Sequence, residues 1–175
     1  GIPTVLRAVK QLHEGGVRLT YTLIGDGQDR GPILGCAEEL GLGSVVKWMG
    51  TQPHHVVLEH YRRADLFVLG CEVADDGDRD GVPNVLFESM AMGVPVVATD
   101  VSAIPELVES GRTGLLVPPR QPEALAAAML TMLTDPELRR RVIPAARSRV
   151  LHDFDHHALV GSLAEIYRTA LTGSS

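Results

Sequence analysis

The thirteen residues Asp80-Gly-Val-Pro-Asn-Val-Leu-Phe-Glu88-Ser-Met-Ala-Met92 contain two carboxylates that stand eight positions apart. A Gly-Val-Pro turn follows the first carboxylate, an apolar helical pattern begins at Asn84, and the apolar run 95–99 follows the helix. The N–H groups that begin a helix attract phosphate, and a carboxylate on each side of them can bind the hydroxyl groups of a ribose or a hexose. The pattern therefore favours a nucleotide-sugar as the ligand.

Helical and strand patterns alternate along most of the chain outside this segment. Helical spacing after Pro3 stops at Gly15, a second helix has Gly41 as its expected C-cap, and Asp135-Pro136 is the expected N-cap and first position of a later helix. Strands of four to seven apolar residues that alternate with helices predict a doubly wound parallel sheet of the α/β class, in which ligands lie at the carboxyl ends of the strands. The apolar strand segments and the predicted C-terminal helices cover 19–24, 45–49, 65–69, 95–99, 114–117 and about 121–172.

Length and composition narrow the possible functions. A chain of 175 residues with 45% hydrophobic and 22% charged residues fits one globular domain. Its formal net charge of −6 argues against a nucleic-acid surface, because such a surface needs clustered basic charge. The sequence shows no signal peptide pattern and no apolar stretch long enough to cross a bilayer, and its two cysteines suit reduced thiols, so a cytoplasmic protein is expected. The arginines at 139–141 indicate a solvated helix face, or a peripheral contact with anionic lipid headgroups.

Metal binding is not expected from the sequence. The residues Asp76, Asp78, Asp80 and Gly81 match the start of a calcium loop, but the position that should supply its final glutamate is Phe87. Adjacent histidine pairs at 54–55 and 156–157 point to different faces of a helix and lack further ligands at zinc spacing.

Five segments in a fixed order carry a resemblance to a known family. Their residues and their order along the chain resemble the carboxyl-terminal, donor-binding domain of GT-B fold glycosyltransferases of the large retaining family 4. The likeness covers nearly the whole chain, and the part from 76 to 83 further resembles the bacterial branch that builds exopolysaccharides such as colanic acid. The segments are 25–27, 64–68, 80–97, 104–108 and 114–118.

The resemblance implies a role for each candidate site residue. Glu88 would accept hydrogen bonds from the ribose hydroxyls of the nucleotide, and Asp80 would contact hydroxyls of the transferred sugar, so both are candidate catalytic residues. The family has Glu at the position of Asp80, which is shorter by one methylene. The other predicted donor-binding residues are Gly25, Asp26, Gly27, Arg30, Gly81, Val82, Pro83, Asn84 and Val85.

The resemblance also implies a longer, two-domain enzyme that moves a hexose from a nucleotide diphosphate sugar to a saccharide or lipid-linked acceptor without an obligatory metal. In the family, a first strand, a basic Arg…Lys pair and an N-terminal acceptor domain precede the position of Gly1. The chain is then expected to be a Rossmann-like half that lacks its first strand, with roughly 10 Å between the segments 19–24 and 65–69. A non-catalytic nucleotide- or sugar-binding module and a GT-B nucleotide-sugar epimerase are the alternatives.

Overall fold

The computed structural model describes residues 1–72 and 82–154, in which strands and helices alternate as the sequence predicts. The predicted α/β fold class is confirmed. Asp80, Gly81 and the part of the predicted C-terminal helices beyond 154 lie outside the described residues. In chain order the elements are α1 (Ile2–Glu14), β1 (Tyr21–Leu23), α2 (Arg30–Glu39), β2 (Val46–Trp48), α3 (His54–Arg63), β3 (Phe67–Leu69), α4 (Asn84–Ala91), β4 (Val96–Thr99), α5 (Ile104–Leu107), β5 (Leu115–Val117), α6 (Pro122–Thr134) and α7 (Pro136–Asp153).

Capping residues read from the sequence set the helix ends. Gly41 follows α2 with a φ of 73°, a left-handed conformation that glycine adopts without steric cost, and its N–H donates to the Glu38 carbonyl at 2.9 Å. At the start of α7, Asp135 Oδ1 accepts from the N–H groups of Glu137 and Leu138 at 3.0 and 2.9 Å. Because these N–H groups have no partner within the helix, the aspartate stabilises its first turn.

The strands form two separate parallel sheets in the described residues. β1 pairs with β2, and β4 lies between β3 and β5. β1 and β3 are therefore not hydrogen-bonded neighbours, as expected for a sheet that lacks a strand between them. The distance between them stays a prediction.

Two apolar clusters cover the two faces of β4. Val97 faces a large cluster that contains the buried sides of α1 and α6, while Val96 and Ala98 face a smaller cluster built from α4, α5 and Ala146 of α7. Successive side chains of a strand point to opposite faces, so this division shows that the sheet is covered on both sides. The fold is thus doubly wound around β4.

Candidate functional site

The predicted phosphate-facing residues lie at the start of α4. Pro83 is the N-cap, with φ −64° and ψ 132°, and it has no side-chain oxygen that could cap the helix. Asn84 and Val85 in the first turn are exposed. N–H groups at a helix start carry partial positive charge and point away from the helix, so this turn can receive a phosphate.

Glu88 lies one turn further along α4 and faces residues of α3. Its Oε2 accepts a hydrogen bond from the Tyr61 hydroxyl at 3.3 Å, and its Oε1 lies 3.6 Å from Nε2 of His54. The Glu88 side chain is 36% exposed and the His54 side chain is 68% exposed. One carboxylate oxygen is therefore hydrogen-bonded and the other lies beside a histidine, and the partly exposed carboxylate can accept further hydrogen bonds from a ligand.

Tyr61 is buried and keeps its proton. Burial raises the pKa of its hydroxyl well above the ordinary value, and the charge of Glu88 and the hydrogen bond to it raise the pKa further. The same hydroxyl lies 3.4 Å from the Val85 carbonyl oxygen, and the ring packs at a tilt against Phe67 with 5.9 Å between centroids. Tyr61 is thus a neutral hydrogen-bond donor between α3 and α4.

The second predicted group lies after β1, in the other sheet. The N–H of Gly25 donates to the Gly50 carbonyl at 2.9 Å, which extends the pairing of β1 with β2. Asp26 Oδ1 accepts from the N–H of Gly27 at 2.9 Å, and Arg30 is exposed at the first position of α2. The turn and the start of α4 both follow strands of parallel sheets, at the edges where such sheets bind ligands.

A polar cluster that the sequence did not indicate joins α1 to the ends of β3 and β5. Thr4 Oγ1 donates to Glu72 Oε1 at 2.6 Å, and Arg120 Nε donates to Glu72 Oε2 at 3.2 Å. Burial would raise the pKa of Glu72, but the hydrogen bonds from Thr4 and Arg120 and the charge of Arg120 lower it. Arg120 has a φ of 58°, which is uncommon for a residue with a side chain. The cluster fixes the chain directly before the segment 73–81.

Possible metal sites and membrane-spanning helices can be described only for residues 1–72 and 82–154. There, no group of three or more His, Cys, Asp or Glu side chains comes close enough to hold a metal ion. Within the same ranges no helix is both long and apolar enough to cross a lipid bilayer. The calcium-like pattern at 76–81 lies outside them.

Comparisons with known proteins found a matching family and several similar proteins. A family model described as glycosyl transferases group 1 matches residues 1–149. The chain is 36% identical over 170 residues to WcaL of Salmonella typhimurium, a glycosyltransferase assigned to colanic acid biosynthesis, and this match covers 97% of the chain and 42% of WcaL. It is 34% identical over 166 residues to the amylovoran biosynthesis glycosyltransferase AmsK of Erwinia amylovora, covering 95% of the chain and 41% of AmsK. The chain spans about two-fifths of the length of these relatives.

The fold also matches a solved structure that contains UDP-glucose. The crystal structure of Anabaena HepE in complex with UDP-glucose superposes with a TM-score of 0.79 at 25% identity. The match covers 95% of this chain and 44% of the HepE chain.

Proposed function

Because the chain belongs to the family of glycosyl transferases group 1, we propose that it is the donor-binding domain of a retaining glycosyltransferase. The whole enzyme would transfer a hexose from a nucleoside diphosphate sugar to a saccharide or lipid-linked acceptor. The observation that carries this proposal is the position of Glu88, one turn into a helix whose first two residues after Pro83 are exposed. A diphosphate at the helix start and a ribose at Glu88 fit that spacing.

Each part of the donor has a proposed partner. Glu88 accepts hydrogen bonds from the ribose hydroxyls, and the backbone around Val82, Pro83, Asn84 and Val85 receives the diphosphate together with Gly81. Asp80 binds hydroxyls of the transferred hexose. The turn Gly25–Asp26–Gly27 and the exposed Arg30 approach the donor from the other sheet.

The leaving diphosphate is stabilised by helix-start N–H groups and basic side chains, with no obligatory metal. Negative charge develops on the leaving oxygen during transfer, and donors that already point toward it stabilise the transition state. The described residues offer such donors at the start of α4 and offer a cation at Arg30. Full transfer in buffer with excess chelator is the expected result, and complete loss that Mg²⁺ or Mn²⁺ restores would contradict it.

The relatives suggest where the sugar goes and which donor to try first. WcaL and AmsK are named for colanic acid and amylovoran biosynthesis, so a saccharide of a growing exopolysaccharide is the proposed acceptor class. HepE was crystallised with UDP-glucose, which makes UDP the first nucleotide to test, with GDP and ADP beside it.

We place this chain in a longer two-domain enzyme whose N-terminal domain binds the acceptor, and propose that residues before Gly1 add a strand between β1 and β3. Both strands have an edge that faces no described neighbour. α1 begins beside the carboxyl end of β3, since a Cβ built on Gly1 would fall 1.3 Å from the Gly70 carbonyl oxygen. A strand leading into α1 would therefore run parallel to β3 along its open edge.

Amide hydrogen exchange tests this proposal. In the intact protein, the amides of β1 and β3 should exchange at least about tenfold more slowly than in the 175-residue chain. Amides of β4 serve as the control, because that strand already has a neighbour on each side. Equal exchange of β1 and β3 in both proteins would contradict a strand between them.

The central experiment removes the charge of Glu88. In the intact protein, Glu88→Gln should weaken nucleoside diphosphate binding by about 1–3 kcal/mol, the scale of a hydrogen bond to a charged group. Isothermal calorimetry measures the affinity, and circular dichroism checks the fold. Glu39→Gln, on the exposed part of α2, makes the same chemical change away from the site. Unchanged affinity in a folded Glu88→Gln protein would refute the proposed site.

A second variant separates sugar from nucleotide. Asp80→Asn should lower turnover while nucleoside diphosphate affinity barely changes, because the proposed contact is with the hexose. Equal losses in both would place Asp80 at the phosphate or the ribose. Transfer by the wild-type protein, followed by product analysis, distinguishes a transferase from a binding module and from an epimerase.

For a lipid-linked acceptor or a membrane surface, we propose contact through α6 and α7. An open groove of about 620 Å³ lies between these helices, with an apolar floor that includes Leu133 and Ile143. Arg139 and Arg140 line it and would attract anionic headgroups. Cosedimentation with vesicles of anionic phospholipid, but not of phosphatidylcholine alone, is expected, and Arg139→Glu with Arg140→Glu should reduce it. Equal binding of the variant and the wild type would contradict this contact.

A further inference from the structure

We propose that Tyr61 is a positioning residue that holds Glu88 ready for the ribose of the donor. The inference rests on the proposed function, because it needs Glu88 to bind the nucleoside. Neither the sequence patterns nor the relatives' names assign Tyr61 a role.

The contacts of Tyr61 fix its hydroxyl at the base of the site. The residue is 7% exposed, and its ring packs against Phe67 at the start of β3. Its hydroxyl lies between two acceptors of α4, Glu88 Oε2 at 3.3 Å and the Val85 carbonyl oxygen at 3.4 Å. The ring thus sets where the hydroxyl lies, and the hydroxyl sets where one carboxylate oxygen lies.

The contact with Tyr61 leaves most of the hydrogen-bond acceptor capacity of Glu88 unused. An ionised carboxylate has about four lone-pair sites, and a tyrosine hydroxyl donates only one hydrogen bond. The Glu88 side chain is 36% exposed, and its other oxygen, Oε1, lies 3.6 Å from Nε2 of the exposed His54. Two adjacent ribose hydroxyls could then donate to the carboxylate without breaking its contact with Tyr61.

A held carboxylate binds more tightly than a mobile one. A half-exposed glutamate samples several rotamers, and ordering it on binding costs free energy that lowers the affinity. Tyr61 reduces this cost by restricting Glu88 before the nucleotide arrives. Its raised pKa keeps the hydroxyl protonated, so the donor persists over the whole pH range in which the protein would work.

The test uses two probes that differ only in the ribose hydroxyls. The intact protein is titrated with UDP and with 2′,3′-dideoxy-UDP, as wild type, Tyr61→Phe, Glu88→Gln and the double variant. Tyr61→Phe keeps the ring on Phe67 and removes only the hydroxyl. Tyr21→Phe on β1 is the matched control, because it removes a hydroxyl from another tyrosine whose pKa burial raises.

We expect Tyr61→Phe to weaken UDP binding about threefold to tenfold, the range of one hydrogen bond, and to change dideoxy-UDP binding less than about twofold. The double variant should bind UDP as Glu88→Gln does, since the hydroxyl acts through that carboxylate. Tyr21→Phe should change neither affinity. Equal losses for both probes, or additive losses in the double variant, would show that Tyr61 only packs and would overturn the proposal.

The outcomes also separate this inference from the function beneath it. A wild type that binds none of UDP, GDP and ADP refutes the donor-binding domain, and the role of Tyr61 with it. A wild type that binds UDP and dideoxy-UDP equally well refutes the ribose contact of Glu88. If the wild type prefers UDP over dideoxy-UDP and Tyr61→Phe binds UDP as tightly as the wild type, only the positioning role is refuted. If GDP or ADP binds more tightly, that nucleotide and its dideoxy form replace UDP.

Discussion

β1 and β4 are strands of similar length in the same fold, yet their surroundings differ. All four residues of β4 are at most 1% exposed, whereas all three residues of β1 are only partly buried. β4 has a hydrogen-bonded neighbour on each side, and β1 has one. Both segments are made of apolar, aromatic or β-branched residues, so composition does not explain the difference. The burial of a strand is set by how many elements surround it.

The largest contrast should come from charge placed in each strand. Val97→Asp buries an unpaired carboxylate in the main core, which costs several kcal/mol, comparable with the about 5–15 kcal/mol that holds a domain folded. We expect the variant to be unfolded by circular dichroism. Thr22→Asp in β1 should keep the fold with a lower urea midpoint, since that position is partly solvated. Equal destabilisation of both variants would remove the distinction between the strands.

A smaller contrast should come from one added methyl group. A Cβ on Gly114, just before β5, would lie 2.8 Å from Val108 Cγ1 and 2.9 Å from the Val96 carbonyl oxygen, so the neighbours must shift. Gly114→Ala should cost about 1–3 kcal/mol in urea unfolding, the usual range for overpacking. Gly43→Ala, between α2 and β2, meets nothing within 4 Å and should change stability little. If Gly114→Ala leaves the stability in urea unchanged, the three-stranded sheet accommodates the methyl group more easily than its burial indicates.

The smallest effect concerns Glu72, which joins α1 to the chain after β5 through Thr4 and Arg120. The folded-state pKa of Glu72 is lowered, so its stabilisation is present above the unfolded pKa and is lost as the pH falls through the folded value. Between about pH 5 and 3 the wild type should lose up to about 1 kcal/mol more stability than Glu72→Gln. Glu39→Gln should lose as much stability as the wild type over this pH range. If all three proteins lose the same stability, ionised Glu72 does not stabilise the fold.

The pattern of elements could be predicted because local signals set it. Gly41 ends α2 and Asp135 begins α7 as the sequence indicates. The strand limits were less accurate, since the apolar run at 19–24 pairs as a strand only at Tyr21–Leu23. An apolar run predicts that a segment is buried, whereas strand hydrogen bonds also need a neighbouring strand in the matching register.

The site could be predicted only in part, for a related reason. The position of Glu88 at the start of a helix follows from local sequence, but its contact with Tyr61 joins residues 27 positions apart on two helices. The sequence did contain a signal for Tyr61, because a tyrosine on the apolar side of a helix needs a partner for its hydroxyl. It contained no comparable signal for Glu72, whose partners lie 68 and 48 positions away.

The packing of α1 against α6 also bears on how this protein is made in the cell. The buried side of α1, including Leu6 and Val9, joins the same core as Leu125 and Met132 of α6. A ribosome must add more than a hundred residues after α1 before α6 emerges. The strand pairs within residues 1–72 and 82–154 are parallel, so no hairpin of these strands shields the apolar surface in the meantime. Between the synthesis of α1 and that of α6 the nascent chain therefore exposes apolar surface, which favours binding by chaperones.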